Sequence, residues 1–412
     1  MKELGIYIHI PFCVRKCRYC DFLSFPFDNL TGHEEKMEAY VNALCEEIKC
    51  FFQKDTIETS LFQETPVHCS GLSQSQTRKL QSYKKQQYRV TSIYLGGGTP
   101  SILPPALTEK ILSAIYQYAD VASDAEITTE ANPGTLTKEK LLSYQKSGMN
   151  RLSLGLQSTV EKELAYLGRI HSYEDFLKSY DMAVQTGFDN INIDLMSAIP
   201  YQTMASWELS LNRVLKLQPA HISAYSLIIE EGTPFYEDGN LSSLIPDEDT
   251  ERRMYELTEQ MLCQEGYHHY EVSNYSKPGK ECRHNLLYWD RRDYIGFGLN
   301  SASCLNEVRF TNTKNLEAYL KKPWTGLSDR EEREVLSHRE QMEEAMILGL
   351  RKIEGISSRE FQRRYGEKME DIFQDVITRY EKEGLLQWKE DRLSFTKRGL
   401  DVSNMVLCEF LP

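Results

Sequence analysis

No apolar run in this 412-residue chain approaches the roughly 20 consecutive residues that a membrane-spanning helix requires. Positive charge is also in short supply. Lysine and arginine number 48 against 61 acidic residues, a formal net charge of -13, so a general nucleic-acid binder, which needs clustered cations against phosphate, is not expected. The first residues, MKELGIYIHIPFC, place an acid beside the lysine and interrupt a short apolar stretch, unlike the basic region and unbroken hydrophobic segment of a secretory leader. The expected location is the cytosol. Cysteine is sparse and mostly scattered: of ten, Cys45, Cys50, Cys69, Cys263, Cys282, Cys304 and Cys408 form no tight motif. In a reducing compartment such residues read as packed thiols rather than disulfides.

What the chain does have is a rhythm. Short runs rich in β-branched and aromatic residues fall at 4–10, 91–96, 125–131, 151–157, 190–196 and 221–227, with amphipathic stretches between them. In 204–217, for example, Trp207, Leu211, Val214 and Leu215 share one helical face. Alternating strands and helices imply a parallel sheet with helices outside it. Six such units predict an α/β fold, a partial (β/α)6 barrel with its functional groups at the C-terminal ends of the strands. Residues 53–89, rich in Gln, Ser and Lys, interrupt the rhythm as an inserted surface excursion. The barrel is expected over 1–235, and a connecting α+β extension over 236–327 with a helix at 247–265 started by Asp247 after Pro246. Over 328–412, helical patterns at 339–351, 357–364 and 368–383 precede a short ribbon, a winged-helix-like module. Its mixed charges favour packing or protein interaction over DNA.

Three cysteines break the scatter: Cys13, Cys17 and Cys20, within IPFCVRKCRYCDF just after the first strand. Structural zinc wants four ligands, and no second pair follows at a suitable distance. Three thiolates suit three irons of a [4Fe-4S] cluster, leaving the fourth iron open to a small chelating ligand. The C-x3-C-x2-C spacing, with Tyr19 before the last cysteine, matches the signature of the radical SAM superfamily. Later strand ends then carry GGGTPS at 96–101, Glu130, Gln157 and Asp194, with Arg169 nearby. Each alone is as easily a tight turn, a helix cap or a solvated strand end. Together, polar groups at successive strand ends read as a cradle, in which Glu130 and Asp194 accept from a ribose or an amine and Arg169 faces a carboxylate.

The segments YIHIPFC, CRYCDF, GGGTPS, EANPGT, RLSLGLQS, LGRIHS, NIDLMSAIPYQT and GYHHYEVSNYSKPG resemble, in order and spacing, the radical SAM family of oxygen-independent coproporphyrinogen III oxidase and its heme-chaperone relatives of the HemW type. The resemblance covers nearly the whole chain outside the insertion. It implies that Cys13, Cys17 and Cys20 hold a [4Fe-4S] cluster, and that Tyr7, Gly97, Gly98, Thr99, Glu130, Gln157, Arg169 and Asp194 surround S-adenosyl-L-methionine (SAM). The oxidase branch carries a further cysteine two positions after the third cluster cysteine, where this chain has Phe22. The chaperone branch carries an H-N-x-x-Y-W motif, here HNLLYW at 284–289, which implies heme contact by His284, Tyr288 and Trp289. His9, His268 and His269 compete with His284 as heme ligand, and the glycine-rich stretch 294–303 is either a place for a flat ligand to approach or a turn. The implied partners are heme, an apo-hemoprotein acceptor, which includes transient contact with membrane hemoproteins, and an electron donor such as flavodoxin or ferredoxin, with the chain a monomer or homodimer. Two activities stay open at this point: heme transfer, or radical decarboxylation of propionate side chains. A third, an interaction protein using the C-terminal module, requires a vestigial cluster.

Overall fold

The structure is a computed structural model and describes residues 1–27, 30–53, 88–322, 324 and 330–411. Most of the predicted insertion, residues 54–87, lies outside the described residues, and so does Cys69.

The strands run in chain order as Lys2–Ile10 (β1), the two-residue pieces Phe12–Cys13 (β2) and Phe25–Pro26 (β3), Tyr88–Gly97 (β4), Asp120–Ala131 (β5), Arg151–Gln157 (β6), Ile191–Ser197 (β7) and His221–Ser226 (β8). β1 and β4 to β8 are the six expected strands, each parallel to the next. Their runs are buried almost continuously, as in Arg151–Leu156, because helices cover one face and the barrel interior the other.

The sheet is longer than six strands. After His268–Glu271 (β9) and Asn274–Ser276 (β10) comes Tyr294–Phe297 (β11), which pairs parallel with β1 on the side away from β4. The stretch that left a turn open in the sequence thus supplies a seventh parallel strand. Gly296 explains the composition: a Cβ there would lie 2.4 Å from the Ala302 carbonyl oxygen, so the close return of the chain requires glycine. Ala302–Leu305 (β12), Val308–Thr311 (β13) and Glu331–Val335 (β14) extend that edge antiparallel, and β10 and β9 extend the other edge beyond β8.

The expected helices form with recognisable ends. Helix Met204–Leu215 starts in a capping box between Thr203 and Ser206 and buries Trp207, Leu211 and Val214. Helix Glu248–Gln264 is capped by Asp247, and the two helices meet where the Trp207 indole donates to Thr258 Oγ1 at 3.0 Å.

A second core gathers residues from Met342 to Phe410. Its helices include His338–Gly349 and Ser358–Tyr365. The single helix expected at 368–383 is two, Met369–Ile372 and Gln374–Lys382. Phe373, only 3% exposed, leaves helical geometry between them and packs edge-on against Phe410 at 5.4 Å. The ribbon Leu386–Lys389 (β16) and Arg392–Phe395 (β17) gains a third strand, Ile356–Ser357 (β15). Two short helices, Lys397–Asp401 and Ser403–Cys408, follow.

Candidate functional site at the strand ends

β1 delivers the chain to Cys13, and β2 pairs with β3 so that the intervening cysteine loop closes over the strand ends. The loop is pinned to the barrel. Arg18 donates its amide to the Leu167 carbonyl at 3.0 Å and its guanidinium to Asp238 at 2.8 Å, stacked over the Tyr166 ring. Within the loop the Cys20 amide donates to the Cys17 carbonyl at 3.3 Å. Burial pushes the Cys13 thiol up and that of Cys20 up to about 12, as expected for sulfur held away from water with no cation bonded to it.

A continuous polar circuit joins two of these thiols. Thr99 Oγ1 lies 3.5 Å from Cys13 Sγ and accepts from Asn132 Nδ2 at 2.9 Å. Arg169 Nη2 donates to Asn132 Oδ1 at 2.7 Å and to the Gly155 carbonyl at 2.6 Å, while Nη1 donates to Cys17 Sγ at 3.5 Å. Arg169 Nε is buried without a partner. A Cβ on Gly155 would meet Gln157 Nε2, Arg169 Nη2 and Asn132 Oδ1 all within 3.1 to 3.2 Å, so three polar groups crowd one bare backbone position. Gln157 itself sits at φ 70°, a left-handed conformation that a non-glycine residue rarely adopts outside functional or strained sites. Asn132 is absent from the sequence-derived set. Its signal was the EANPG run, two positions after Glu130.

The glycines are dictated from inside the protein. Gly97 has φ 104° and a Cβ there would strike the His9 ring at 2.5 Å, while one on Gly98 would strike the Phe12 carbonyl at 2.6 Å. The turn therefore has to be bare to pack against the start of the cysteine loop.

Beneath the loop lie the carboxylates. Glu130 accepts from the Tyr94 hydroxyl at 2.9 Å, and its pKa rises to about 7, mainly through burial and next through the neighbouring Asp194. Asp194 is also raised by burial, against the bonds it accepts from Asn192 at 2.8 Å and Ser153 at 3.0 Å. Tyr7 stacks on Tyr94 at 6.4 Å with its hydroxyl 3.2 Å from His9 Nδ1.

The three thiols and the cradle fit an iron–sulfur cluster with a chelating ligand better than a zinc ion. A structural zinc centre needs four ligands on one ion, whereas this loop brings three cysteines, which suits a cluster that leaves one iron to a chelating ligand. The cysteines are in no disulfide, and the buried Arg169 guanidinium donates to Cys17 Sγ.

The second motif is arranged differently from its expectation. Helix Arg283–Trp289 is anchored at its start by Glu126, whose carboxylate accepts from the amides of Arg283 and His284 at 3.0 and 3.1 Å. His284 is 2% exposed. Its Nδ1 is 2.8 Å from Ser92 Oγ and its Nε2 is 2.9 Å from the Tyr288 hydroxyl, with the ring stacked on Tyr94 at 5.2 Å. Burial drives its pKa down to about 3, so the imidazole is neutral and both ring nitrogens are engaged. Tyr288 packs edge-on against Tyr294 of β11. Trp289 instead lines a cavity shared with the C-terminal module. The three motif residues do not present one surface. The rival histidines stand elsewhere: His9 bonds the Leu23 carbonyl at 2.8 Å, His269 stacks on Tyr275 at 4.2 Å, and His268 is exposed beside Glu281.

Comparison with known proteins agrees with this architecture. Residues 7–214 match the radical SAM superfamily and residues 336–402 match the HemN C-terminal domain. The chain is 35% identical over 411 residues to the heme chaperone HemW of Lactococcus lactis subsp. lactis (strain IL1403), covering 100% of this chain and 98% of that one. It is 34% identical to the heme chaperone HemW of Bacillus subtilis (strain 168), covering 98% of both. In fold it resembles the coproporphyrinogen III oxidase HemN of Escherichia coli, with a TM-score of 0.77 at 20% identity over 99% of this chain and 90% of that one. No helix among the described residues is long and apolar enough to cross a membrane. With its cysteine loop, its strand-end cradle and its full-length likeness to these relatives, the chain belongs to the HemW family of radical SAM proteins.

Proposed function

We propose that the chain binds heme and hands it to apo-hemoproteins, and that it carries a [4Fe-4S] cluster on Cys13, Cys17 and Cys20 with SAM in the strand-end cradle. The carrying observation is that one chain joins the three-cysteine loop to the HNLLYW helix, over a full-length likeness to proteins named heme chaperones. A bound cluster supplies an open iron for chelation and, when reduced, an electron to a SAM sulfonium. The rest of the work belongs to side chains. Arg169, held by Asn132 and the Gly155 carbonyl, reaches Cys17 Sγ and can pair with a ligand carboxylate. Glu130 and Asp194 offer acceptors to hydroxyl or ammonium groups, with Tyr94 and Asn192 fixing their directions. The cysteine loop, pinned through Arg18, closes the barrel mouth.

The intact cradle also favours a second reading, oxidative decarboxylation of porphyrinogen propionates. Phe22, 59% exposed, occupies the place of the extra oxidase cysteine and weighs against it. The deciding experiment reconstitutes the chain anaerobically with iron and sulfide, adds SAM and a strong reductant, and offers heme or coproporphyrinogen III. Stoichiometric heme uptake and delivery to apomyoglobin, without decarboxylation, are expected; protoporphyrinogen over many turnovers would make the chain an oxidase. Cys17→Ala should leave the reconstituted protein short of iron, and an unchanged iron content would remove the cluster assignment.

A further inference from the structure

The inward face of β6, β7 and β8 is polar, where a barrel interior usually packs apolar side chains. Asn192 and Asp194, two apart on β7, share that face. Ser153 and Gly155 stand opposite them on β6, and His221 and Ser223 on β8. Ser153, Asn192, His221 and Ser223 are each at most 3% exposed. Polar groups buried this deeply are costly unless their hydrogen bonds are made, and here they are made in one continuous series.

The series has a direction. The Cys282 amide, which can only donate, gives its proton to the Tyr270 hydroxyl oxygen at 3.2 Å. That oxygen is 2.8 Å from His221 Nε2, and His221 Nδ1 is 2.6 Å from Asn192 Oδ1. Burial, and next the Arg151 guanidinium, hold the His221 pKa well below the usual histidine range, so the ring carries one proton. With that proton on Nδ1, the imidazole donates to Asn192 Oδ1, which also accepts from Ser223 at 3.1 Å, and Nε2 accepts from Tyr270. Asn192 Nδ2 then donates to Asp194 Oδ1 at 2.8 Å and to Ser153 Oγ at 2.7 Å, while Ser153 donates to Asp194 Oδ2 at 3.0 Å. With the proton on Nε2, a bare Nδ1 would face Asn192. The amide would have to turn its oxygen toward the Asp194 carboxylate, acceptor against acceptor.

We infer that His221 is a positioning residue for Asp194: held as the Nδ1–H tautomer, it fixes the Asn192 amide with its NH2 toward the carboxylate, whose remaining lone pairs are left for a ligand in the cradle. The inference rests on the reading of Asp194 as an acceptor for SAM and deepens it. A histidine that merely fills the barrel is matched by any side chain of similar size. One that sets the direction of a proton is matched only by a donor at the place of Nδ1.

The test compares the reconstituted chain with two variants. His221→Asn puts an amide NH2 near the place of Nδ1, and His221→Leu fills the space but donates nothing. SAM affinity by calorimetry should stay within about twofold of wild type in the first and fall roughly five- to tenfold in the second, the worth of one buried neutral hydrogen bond. In an Asn192→Ala background, where the link to Asp194 is already cut, His221→Leu should weaken SAM no further. With 15N-labelled histidine in the wild type, the resonances that His221→Asn removes should be those of a neutral ring protonated at Nδ1 between about pH 6 and 8. An Nε2–H tautomer, equal losses in the two variants, or an undiminished effect of His221→Leu in the Asn192→Ala background would overturn the positioning role. A wild-type chain that holds its iron but binds no SAM overturns the cradle reading itself, whereas normal SAM binding with no effect of His221→Leu removes only this role.

Discussion

Tyr94 donates a 2.9 Å hydrogen bond to Glu130 while its ring lies on the His284 imidazole at 5.2 Å. One side chain therefore touches both motifs that the sequence presents as separate. Tyr94→Phe keeps the ring and removes the hydroxyl, which is one of the groups favouring the ionised form of Glu130. A hydrogen bond to a charged group contributes about 1.5–3 kcal/mol. SAM affinity near neutral pH should accordingly fall by roughly tenfold or more, with iron content and heme binding unchanged. Calorimetry on the reconstituted variant decides it: wild-type affinity would mean that Tyr94 has no part in arranging the cradle.

Much of this site was legible because its residues sit at the ends of apolar runs whose period marks them as strands. Cys13 and Thr99 come just after β1 and β4, and Glu130 and Gln157 are among the last residues of β5 and β6. Asn132 was not legible: an asparagine before Pro133 and Gly134 reads as turn chemistry, and only the fold brings Arg169 to it. β11 was hidden because its four residues, interrupted by Gly296, are too few to show a period-two pattern, and it forms by pairing with β1. The orientation of the HNLLYW helix was readable in principle. His284 and Tyr288 are four apart and share a face, whereas Trp289, five on from His284, is turned by about 140°. The same spacing places the first two against the sheet and the third on the cavity shared with the C-terminal module.

The carboxylates make ligand binding depend on pH. Glu130, with its pKa raised to about 7 by burial and by Asp194, carries its proton below that value and is an acceptor-only carboxylate above it. A ligand that donates hydroxyl or ammonium protons binds the ionised form. Its affinity should rise with pH up to about 7 and then level off, losing up to about tenfold per unit below. The sign for stability is opposite: a carboxyl raised in the folded state destabilises the empty protein as pH climbs from its unfolded value near 4.5 to about 7, by up to about 3 kcal/mol. Glu130→Gln should flatten the binding profile and raise the urea midpoint at pH 8. A profile that keeps its slope in that variant would assign the titration to another group.

The far side of the sheet tests whether a buried charge holds the extension to the barrel. Glu47, on helix His33–Gln53 and 1% exposed, lies 2.5 Å from the Arg330 guanidinium, accepts from Tyr319 at 2.6 Å and Asn312 at 2.8 Å, and accepts from the Gly298 amide at 3.0 Å. A lone acid in a helical pattern reads as solvated; here it gathers groups from four places remote in sequence. Removing it would strand a guanidinium that is 2% exposed, and breaking such a buried pair from one side costs about 3–5 kcal/mol. Glu47→Ala should therefore lower the unfolding free energy by about that much, Arg330→Ala by a comparable amount, and the double variant by clearly less than their sum, because the second change removes the orphan left by the first. Additive losses in urea denaturation would show instead that the two residues contribute independently, with Tyr319 and Asn312 carrying the weight of Glu47.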